Sequence, residues 1–558
     1  MTMKRDLQAL VNREFDVVVV GGGIYGAALA REAVLCGLST ALVEQGDFCS
    51  ATSANSLKII HGGLRYLQQL DVARLRNSVV ERRCLLRTAP HLVHPLPCIM
   101  PTQGHLMKGR EAMFAGMLLN DILSADRNAL SDPEKFIPRG HLISRDEVCR
   151  RVPGLSPDGI TGGAAWHDAY TYNSERLVTS MVQDAVRGGA VAANYLKAVG
   201  FRNTGGRIDG VRVRDGVGGQ EFEIASRVVI NAAGPWVNDV LALLNGRAGK
   251  GLAGLALGMN FVLGRQLLPH CAAGLRFHRA SGESQRLLFL MPWRGLTLVG
   301  TYYRAHQGSA DHPGVTGQDV DIFLSDLAHA YPAAGIKRDD ITGILAGLLP
   351  VKHTLPTGEE PDLANHFSII DHARRDHVDG LMTVVGVKYT TARDVAARTM
   401  VQVLRKLGRA ARASGSETKP LPGGAIADFR ATLRQMNTAV SGVSPAVMEH
   451  LVYNYGSETP AVLELGRGEP AWIAPLHAGT PVIGAEIVHA VREEMALTLA
   501  DVVFRRTDLG SGGLPPAAAL DACSRLMARG CGWDESRRVA EVAAVNASPF
   551  FGAFPWRS

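Results

Sequence analysis

The residues whose types and spacing are most informative chemically are three glycines near the N-terminus and an acid that follows them. Gly21, Gly23 and Gly26 form the pattern G-x-G-x-x-G. Gly21 permits a tight turn, Gly23 lets the backbone approach a pyrophosphate, and Gly26 allows the next helix to lie close to the preceding strand. The carboxylate of Glu44 can accept hydrogen bonds from ribose hydroxyls and would repel a 2′-phosphate. These residues predict a site for FAD or NAD rather than NADP.

The elements that must position this chemistry are a strand, a helix and a second strand. The apolar run 17–20 predicts a strand buried on both faces, Tyr25–Leu35 predicts a helix, and 39–43 predicts the second strand. A bound pyrophosphate would meet the free N–H groups and the positive dipole end at Ile24 and Tyr25. The alternative is a βα unit that binds nothing, which the presence of strand, helix and acid together disfavours.

A polar loop follows at 50–56, with the sequence S-A-T-S-A-N-S. Hydroxyl groups and exposed N–H groups in such a loop can hold phosphate or ribityl oxygens, whereas the alternative is a surface turn. Its position directly after the nucleotide-binding unit favours the first interpretation. Further on, the β-branched strand 227–230 ends in small residues at 232–234, which suits a sheet edge that lies against a cofactor. This return of the chain after a long excursion favours FAD over NAD.

Composition sets the limits for the whole chain. Its 558 residues require about two or three domains. A net charge of +6 without a dense basic run does not suggest nucleic acid as a partner. The eight cysteines are scattered without a C-x-x-C pair, which predicts reduced thiols in a cytosolic setting. No apolar stretch is long enough for a membrane span, so we expect any membrane contact to be peripheral.

Other segments predict the remaining architecture. Short apolar runs between 252 and 349 predict antiparallel strands of a substrate-binding sheet, and Leu381–Val385 predicts a strand that rejoins the cofactor domain. The stretch 71–88 predicts a helix whose arginines form a solvated face. The stretch 108–122 predicts an amphipathic helix that either packs in the core or contacts a membrane. A single long helix is predicted over 486–505, within an α-helical C-terminal domain.

Several motifs together resemble the FAD-dependent glycerol-3-phosphate dehydrogenases, the quinone-linked flavoenzymes of glycerol catabolism. They are D-V-V-V-V-G-G-G-I-Y-G from Asp16, S-A-T-S-A-N-S-L-K-I-I-H-G-G-L-R-Y-L from Ser50, N-A-A-G-P-W-V from Asn231, M-P-W from Met291, G-V-K-Y-T-T-A-R from Gly386 and L-P-G-G-A-I from Leu421. The run H-G-G-L-R-Y-L is the most specific of them, and the likeness spans nearly the full length.

This resemblance implies an α/β protein with three parts. A doubly wound, Rossmann-like FAD-binding domain is expected in segments of about 14–100, 165–250 and 365–410. An antiparallel β-sheet substrate domain is expected in segments of about 100–165 and 250–365, and an all-α domain over 421–558. The implied reaction is oxidation of glycerol 3-phosphate or a related phosphorylated polyol, with electrons passed to quinone or another acceptor. The resemblance also implies a cytoplasmic protein with peripheral membrane contact, and it admits a homodimer.

The resemblance also assigns roles to individual residues. Lys388, His61 and Arg65 are the catalytic candidates, and Arg65, Tyr66, Asn260 and Lys388 are the substrate-binding candidates. No metal is predicted. The predicted cofactor-binding residues are Gly21, Gly23, Ile24, Tyr25, Gly26, Glu44, Gln45, Thr52, Ser53, Ser56, Leu57, Ala198, Ala233, Gly234, Trp236, Lys388, Tyr389 and Thr390.

Three positions depart from the family pattern. Leu349 stands where the family typically has an arginine beside the substrate phosphate, Asn260 stands where it commonly has histidine, and G-T-Y-Y from Gly300 replaces G-T-T-D. An aliphatic side chain cannot bind phosphate by charge-assisted hydrogen bonds, each worth about 1.5–3 kcal/mol. These changes leave two alternatives open: a divergent enzyme that oxidises a different small alcohol or amine, and a flavin-binding protein without turnover.

Two further questions stay open at the level of sequence. Lys352, His353 and Arg304 could each replace the missing arginine. The proton of the substrate hydroxyl could go to His61, Lys388 or His353, or could leave through water.

Overall fold

The computed structural model of the chain describes residues 2–104, 110–244, 251–252, 254–278, 286–352 and 361–549. Its strands are β1 (Phe15–Val20), β2 (Thr40–Val43), β3 (Ile59–Ile60), β4 (Val93–Gln103), β5 (His141–Ile143), β6 (Ile160–Thr171), β7 (Val191–Ala193), β8 (Leu196–Thr204), β9 (Arg207–Asp215), β10 (Glu221–Asn231), β11 (Gly254–Leu263), β12 (Ala272–Phe277), β13 (Arg286–Trp293), β14 (Leu296–His306), β15 (Ile341–Val351), β16 (Ser368–Asp371) and β17 (Leu381–Val385).

The helices are α1 (Gln8–Val11), α2 (Ile24–Leu35), α3 (Val72–Thr88), α4 (Arg110–Leu123), α5 (Arg145–Arg151), α6 (Ser174–Arg187), α7 (Val237–Ala242), α8 (Gly317–Ala330), α9 (His372–Arg375), α10 (Ala392–Lys406), α11 (Phe429–Ala439), α12 (Pro445–Tyr455), α13 (Thr459–Glu464), α14 (Gly484–Glu493), α15 (Leu499–Asp501), α16 (Ala517–Cys531) and α17 (Glu535–Asn546). Short 3₁₀ helices at Leu64–Gln69 and Gly234–Trp236 and a π-helix at Val502–Arg506 lie between them.

The first sheet is a doubly wound parallel sheet. Its strands run in the order β16-β17-β10-β1-β2-β7, parallel except for β16, and β8 and β9 extend β10 as an antiparallel ribbon. Alternate valines of β1 point to opposite faces of the sheet, because successive side chains along a strand alternate in direction. Val17 and Val19 pack towards α2, α6 and α10, whereas Val18 and Val20 pack with the ribbon, α1 and α7. The Rossmann-like fold class is confirmed.

The second sheet is mainly antiparallel and stands beside the first. Its order is β15-β11-β14-β13-β12-β4-β6-β3, with β5 paired to β6, and α8 covers one face. The strands predicted between 252 and 349 belong to it. It also recruits β3 and β4 from the stretch 14–100, which the sequence assigns wholly to the cofactor domain. The chain therefore crosses between the two sheets more often than the predicted segments imply.

The C-terminal part is helical, from α11 to α17, but the predicted long helix over 486–505 is wrong. The chain leaves α14 after Glu493, and Met495 adopts a left-handed conformation with φ 54°. It resumes helical geometry at α15 and the π-helix. This break exposes backbone carbonyls that accept hydrogen bonds from both parts of the chain: Glu494 O accepts from Arg506 of the π-helix, and Met495 O accepts from Asn194 Nδ2 of the cofactor domain at 2.9 Å.

A buried network of ions joins the C-terminal part to the cofactor domain. Asp47, three residues after Glu44, accepts hydrogen bonds from Arg505 and Arg506 of the π-helix at 2.7–2.8 Å. Arg176 of α6 pairs with Glu494 at 2.7 Å. Burial alone would raise the pKa of Asp47, but the Arg506 and Arg505 guanidiniums lower it below its usual value. The loop after β2 is thus bound by arginines that lie near the C-terminal end of the sequence.

Helices α3 and α4 differ in which side chains they bury and which they expose. The expected solvated arginine face of α3 is wrong in part, because Arg82 is buried against Asp168. In α4, Phe114, Leu118 and Ile122 are 53–65% exposed on one side. Across the described ranges, no helix is both long and apolar enough to cross a bilayer. All eight cysteines are free thiols.

Candidate active site

A cavity of about 570 Å³ opens at the carboxyl ends of the parallel strands, where doubly wound sheets bind ligands. Its walls come from β1, β2 and β17, from the segment that follows β10, from the polar loop 50–56, and from the end of β15. The predicted cofactor residues that line it are Gly21, Gly23, Ile24, Tyr25, Glu44, Gln45, Thr52, Ser53, Ser56, Ala198, Ala233, Gly234, Trp236, Lys388 and Tyr389. Three other predicted cofactor residues, Gly26, Leu57 and Thr390, do not line it.

The turn after β1 places the start of α2 at the cavity. Gly21 has φ 110°, which a side chain would strain. An added Cβ at Gly26 would lie 1.7 Å from Gly21 O, so this glycine lets the helix begin directly against the turn. The Ile24 N–H donates to Ser53 Oγ at 3.0 Å. The loop serine therefore stands at the anion-attracting end of the helix, where a pyrophosphate would bind.

Glu44 ends β2 with its carboxylate on the cavity wall. It accepts from Gly22 N at 2.5 Å and from Gly46 N at 2.8 Å, so its orientation is fixed. Burial raises the pKa of Glu44, and these two backbone N–H groups offset part of that effect. A carboxylate held in this way can accept ribose hydroxyls.

Sequence reasoning missed several lining residues that come from elsewhere in the chain. Lys197 of β8, Asp239 of α7 and Asp311 of the loop after β14 reach the cavity. Trp236 Nε1 donates to Asp311 Oδ1 at 2.6 Å and so fixes its indole ring. No local sequence motif predicts that Asp311 lines the cavity, because its position depends on how the two sheets pack together.

At the opposite side, Tyr25 and the segment before α10 form the wall. The Tyr25 hydroxyl donates to Lys388 O at 2.7 Å and accepts from Val387 N and Lys388 N at 3.2 Å. Tyr389 donates to Ser174 O at 2.8 Å. These bonds fix the main chain on both sides of Lys388. Thr390 is buried just before the start of α10.

Lys388 directs its amine at an aromatic ring. Its Nζ lies 3.8 Å from the ring centre of Tyr66, and it forms no hydrogen bond or ion pair with any described residue. Burial, with a smaller contribution from Arg74, lowers the pKa of Lys388 to about 7, against the raising effect of Asp71. An amine in this condition is neutral for much of the time near neutral pH and can accept a proton.

The departures from the family pattern have structural counterparts. Leu349 lines the cavity and its side chain lies over Gly258, so the wall here is apolar. Arg304 donates to Asp319 at 2.7 Å, and Lys352 pairs with Asp362 at 3.0 Å, so both expected replacements are engaged by carboxylates. His353 lies outside the described residues.

Asn260 does not lie where a substrate-binding residue was expected. It is buried in β11, donates to Asn55 O and Leu345 O, and accepts from Thr301 Oγ1 at 2.8 Å. Its amide therefore joins the polar loop to the second sheet, which argues against direct contact with substrate. His61 is exposed and does not line the cavity. The backbone of Arg65 lies in the 3₁₀ helix, but its side chain lies outside the described part of the structure.

The double glycine before Arg65 makes room for a buried ion pair. An added Cβ at Gly62 would lie 2.2 Å from Arg82 Nη1. Asp168 accepts from Arg82 Nη1 at 2.9 Å and from Gly62 N at 2.5 Å. The H-G-G motif is thus held in place by α3 and β6, a role that the sequence did not reveal.

The site fits FAD. The glycine turn leaves the start of α2 open to a pyrophosphate, Glu44 offers an oriented acceptor for ribose, and the cavity has a volume typical of ligand sites. Among the described residues, no group of His, Cys, Asp and Glu side chains is suited to a metal ion. Fold and site together define a flavin-dependent oxidoreductase.

Comparison with known proteins agrees. Residues 16–392 match the family of FAD-dependent oxidoreductases, and residues 414–538 match the C-terminal domain of alpha-glycerophosphate oxidase. A glycerol-3-phosphate dehydrogenase of Synechocystis sp. is 31% identical over 96% of both chains. An alpha-glycerophosphate oxidase of Streptococcus pyogenes is 29% identical over 97% of this chain and 95% of that protein. The chain belongs to the FAD-dependent glycerol-3-phosphate dehydrogenase family, and its cofactor is FAD.

A solved structure supports the fold. The glycerol-3-phosphate dehydrogenase of Bacillus halodurans, complexed with FAD, matches with a TM-score of 0.75 over 97% of this chain and 95% of that one. Its sequence identity is 24%, so this match concerns the fold alone.

Proposed function

We propose that the protein oxidises glycerol 3-phosphate, or a closely related phosphorylated polyol, at its secondary alcohol. FAD, when bound, accepts the hydride that leaves the carbinol carbon. The observation that supports this reaction best is the amine of Lys388 at the cavity wall, whose pKa of about 7 and lack of a carboxylate partner among the described residues suit a proton acceptor.

Several residues of the chain divide the remaining work. Lys388 receives the hydroxyl proton, and the bonds from Tyr25 keep its backbone in place. Tyr66 forms the wall against which the amine rests. Thr52 donates to Leu348 O, accepts from Leu348 N and so joins the polar loop to β15 at the cavity wall.

The decisive experiment follows the absorbance of the oxidised flavin while sn-glycerol 3-phosphate is added without oxygen. Rapid bleaching supports the proposal. If the flavin is reduced by dithionite but not by glycerol 3-phosphate, the proposal is wrong for this substrate. Glycerol is the matched control, because it carries the same carbinol without the phosphate.

A second candidate is a family member that oxidises a different small alcohol or amine. The apolar Leu349 in the cavity wall favours it, because an aliphatic side chain offers nothing to a phosphate. A screen of polyols and amino alcohols in the same bleaching assay separates this candidate from the first. A flavin that no alcohol reduces would instead support a protein without turnover.

We infer that a quinone in a membrane takes the electrons. The exposed apolar side of α4 supports contact with a lipid surface, since Phe114, Leu118 and Ile122 repeat at intervals of four residues and present one apolar stripe. A cytoplasmic location and a homodimer stay predictions.

A further inference from the structure

The ring of Tyr66 is contacted by two cations. Lys388 Nζ lies 3.8 Å from the ring centre, and Arg74 Cζ of α3 lies 4.2 Å from the same centre. Each contact is a cation–π interaction, which stabilises a cation but does not neutralise its charge. Two positive groups are therefore held beside one ring, and one of them, Lys388, lines the cavity.

The positive charge of this pair is not balanced by a direct ion pair in the described part of the chain. Arg74 Nε is buried without a hydrogen-bond partner, and Nη2 makes only a long contact of 3.4 Å to Asn365 Oδ1. Asp71 accepts from the backbone N–H of Arg74 at 3.0 Å and lies 4.0 Å from His366 Nε2. Asp71 therefore caps helix α3 and does not pair with the guanidinium of Arg74.

Three other arginines of the same helix have carboxylate partners. Arg76 and Arg83 both pair with Asp126, and Arg82 pairs with Asp168. Arg83 Nε is, like Arg74 Nε, buried without a hydrogen-bond partner, but the Arg83 guanidinium has its counter-charge. Cations that have left water are normally paired in this way, because an uncompensated charge is costly. A partly buried guanidinium that has no carboxylate partner among the described residues and lies beside a second cation thus indicates a place for an anion.

We propose that Arg74 binds the phosphate of the substrate and so replaces the arginine that the family carries where this chain has Leu349. This inference rests on the proposed function and identifies Arg74 as the residue that selects a phosphorylated substrate. A guanidinium presents several N–H donors in a fixed fork, and phosphate is the anion that this fork matches best. The other cations available by sequence and described here, Arg304 and Lys352, are held by carboxylates.

The test compares Arg74→Gln and Arg74→Lys with Arg76→Gln, a matched change two residues further along α3 in an arginine paired away from Tyr66. Loss of charge-assisted bonds to phosphate should lower kcat/KM for glycerol 3-phosphate by about 10- to 150-fold in Arg74→Gln. The variant Arg74→Lys should lose less, because it keeps the charge but not the fork. Oxidation of glycerol, measured well above the pKa of Lys388 so that its amine is neutral in every variant, should differ little between the three variants and the wild type.

A second readout distinguishes binding from a purely structural role. Because Arg74 lowers the pKa of Lys388, its removal should move the acidic limb of the kcat/KM profile to higher pH. Asp71→Asn should move the limb to lower pH, since Asp71 raises that pKa. The Arg76→Gln profile should match the wild type.

Calorimetric titration with inorganic phosphate tests the anion site without turnover. Binding to the wild type and to Arg76→Gln, but not to Arg74→Gln, supports the inference even if glycerol 3-phosphate is not oxidised. A wild type that is bleached by glycerol 3-phosphate while Arg74→Gln keeps the same concentration dependence would overturn the inference and leave the proposed function standing.

Discussion

At the scale of single residues, the site combines retained cofactor chemistry with an altered substrate wall. Glu44, Ser53 and Lys388 all face one cavity, whereas Leu349 gives that cavity an apolar side. The two halves make separate demands. The backbone and the acid near α2 suit FAD, while we propose that substrate choice depends on cations from α3 and from the segment before α10.

Replacement of Lys388 should affect the chemical step more than binding of FAD. We expect Lys388→Met to retain FAD and to reduce its flavin about 10²- to 10⁴-fold more slowly, because a positioned proton acceptor contributes that range. Stopped-flow absorbance with glycerol 3-phosphate measures the rate.

The wild-type rate should also depend on pH in a defined direction. A lysine with a pKa of about 7 is increasingly neutral above that pH, so kcat/KM should rise as pH increases through about 7. The Lys388→Met profile should be flat there. A wild-type profile that falls over the same interval would rule out Lys388 as the proton acceptor.

The sequence predicted the site best where the chemistry is local in the chain. Gly21, Gly23 and Glu44 belong to one βαβ unit, so their meeting follows from the pattern itself. Asp311 at the cavity and Lys388 over the ring of Tyr66 could not be predicted, because each position depends on packing between distant elements. Asn260, assigned by its place in the family pattern, is buried and does not line the cavity, because its amide bonds join the polar loop to the second sheet.

At the scale of elements, α2 can pack directly against the turn after β1 because Gly26 has no side chain. In Gly26→Ala the new Cβ would meet Gly21 O, a backbone atom that cannot move aside. We expect a loss of about 3 kcal/mol in the free energy of unfolding and poor retention of FAD. Thermal unfolding and the ratio of flavin to protein absorbance measure both effects.

Gly116 provides the control, because it lies in α4 with nothing within 4 Å of an added Cβ. Gly116→Ala should stabilise the protein by up to about 1 kcal/mol, since alanine favours helix. Equal effects of the two changes would contradict the account of Gly26.

The apolar side of α4 should bind lipid vesicles. We expect Phe114→Ser, Leu118→Ser and Ile122→Ser each to weaken co-sedimentation with anionic vesicles about tenfold or more, because each buried apolar side chain is worth about 1.5–3 kcal/mol. Val539→Ser, at a residue 55% exposed on α17, is the control. Undiminished sedimentation of the α4 variants would exclude this helix as the lipid contact.

Elements were predictable where hydrophobic periodicity is strong. The strand over 381–385 and the helices near 24–35 and 72–88 occur where the patterns place them. The break after α14 was not predictable, because the segment 486–505 is helical in composition throughout. The chain interrupts it since buried arginines need the carboxylate and carbonyl of Glu494 at that point.

At the scale of the whole molecule, the C-terminal part and the cofactor domain depend on one another. We expect Asp47→Asn to lower the free energy of unfolding by about 3 kcal/mol, because the guanidiniums of Arg505 and Arg506 lose the buried carboxylate that they share, although Asp501 and Glu494 stay beside them. Chemical denaturation measures the loss, and FAD should dissociate more easily because the loop after Glu44 is released.

The exposed pair of Arg214 and Glu221 supplies the comparison, and Arg214→Gln should cost about 1 kcal/mol or less. Because the pKa of Asp47 is depressed in the folded state, its stabilising contribution is present above about pH 4 and is lost as pH falls further. Stability of Asp47→Asn should therefore respond less to acid than that of the wild type.

The ion pair between Asp47 and Arg506 has a consequence for the synthesis of the protein. A ribosome makes Asp47 early and Arg506 near the end, so the nascent polypeptide holds the nucleotide loop without its anchor for most of its synthesis. We therefore expect firm binding of the vitamin-derived cofactor only when translation is almost complete. A stop codon between the βαβ unit and position 505 should likewise leave a product that binds its flavin more weakly than the full chain does.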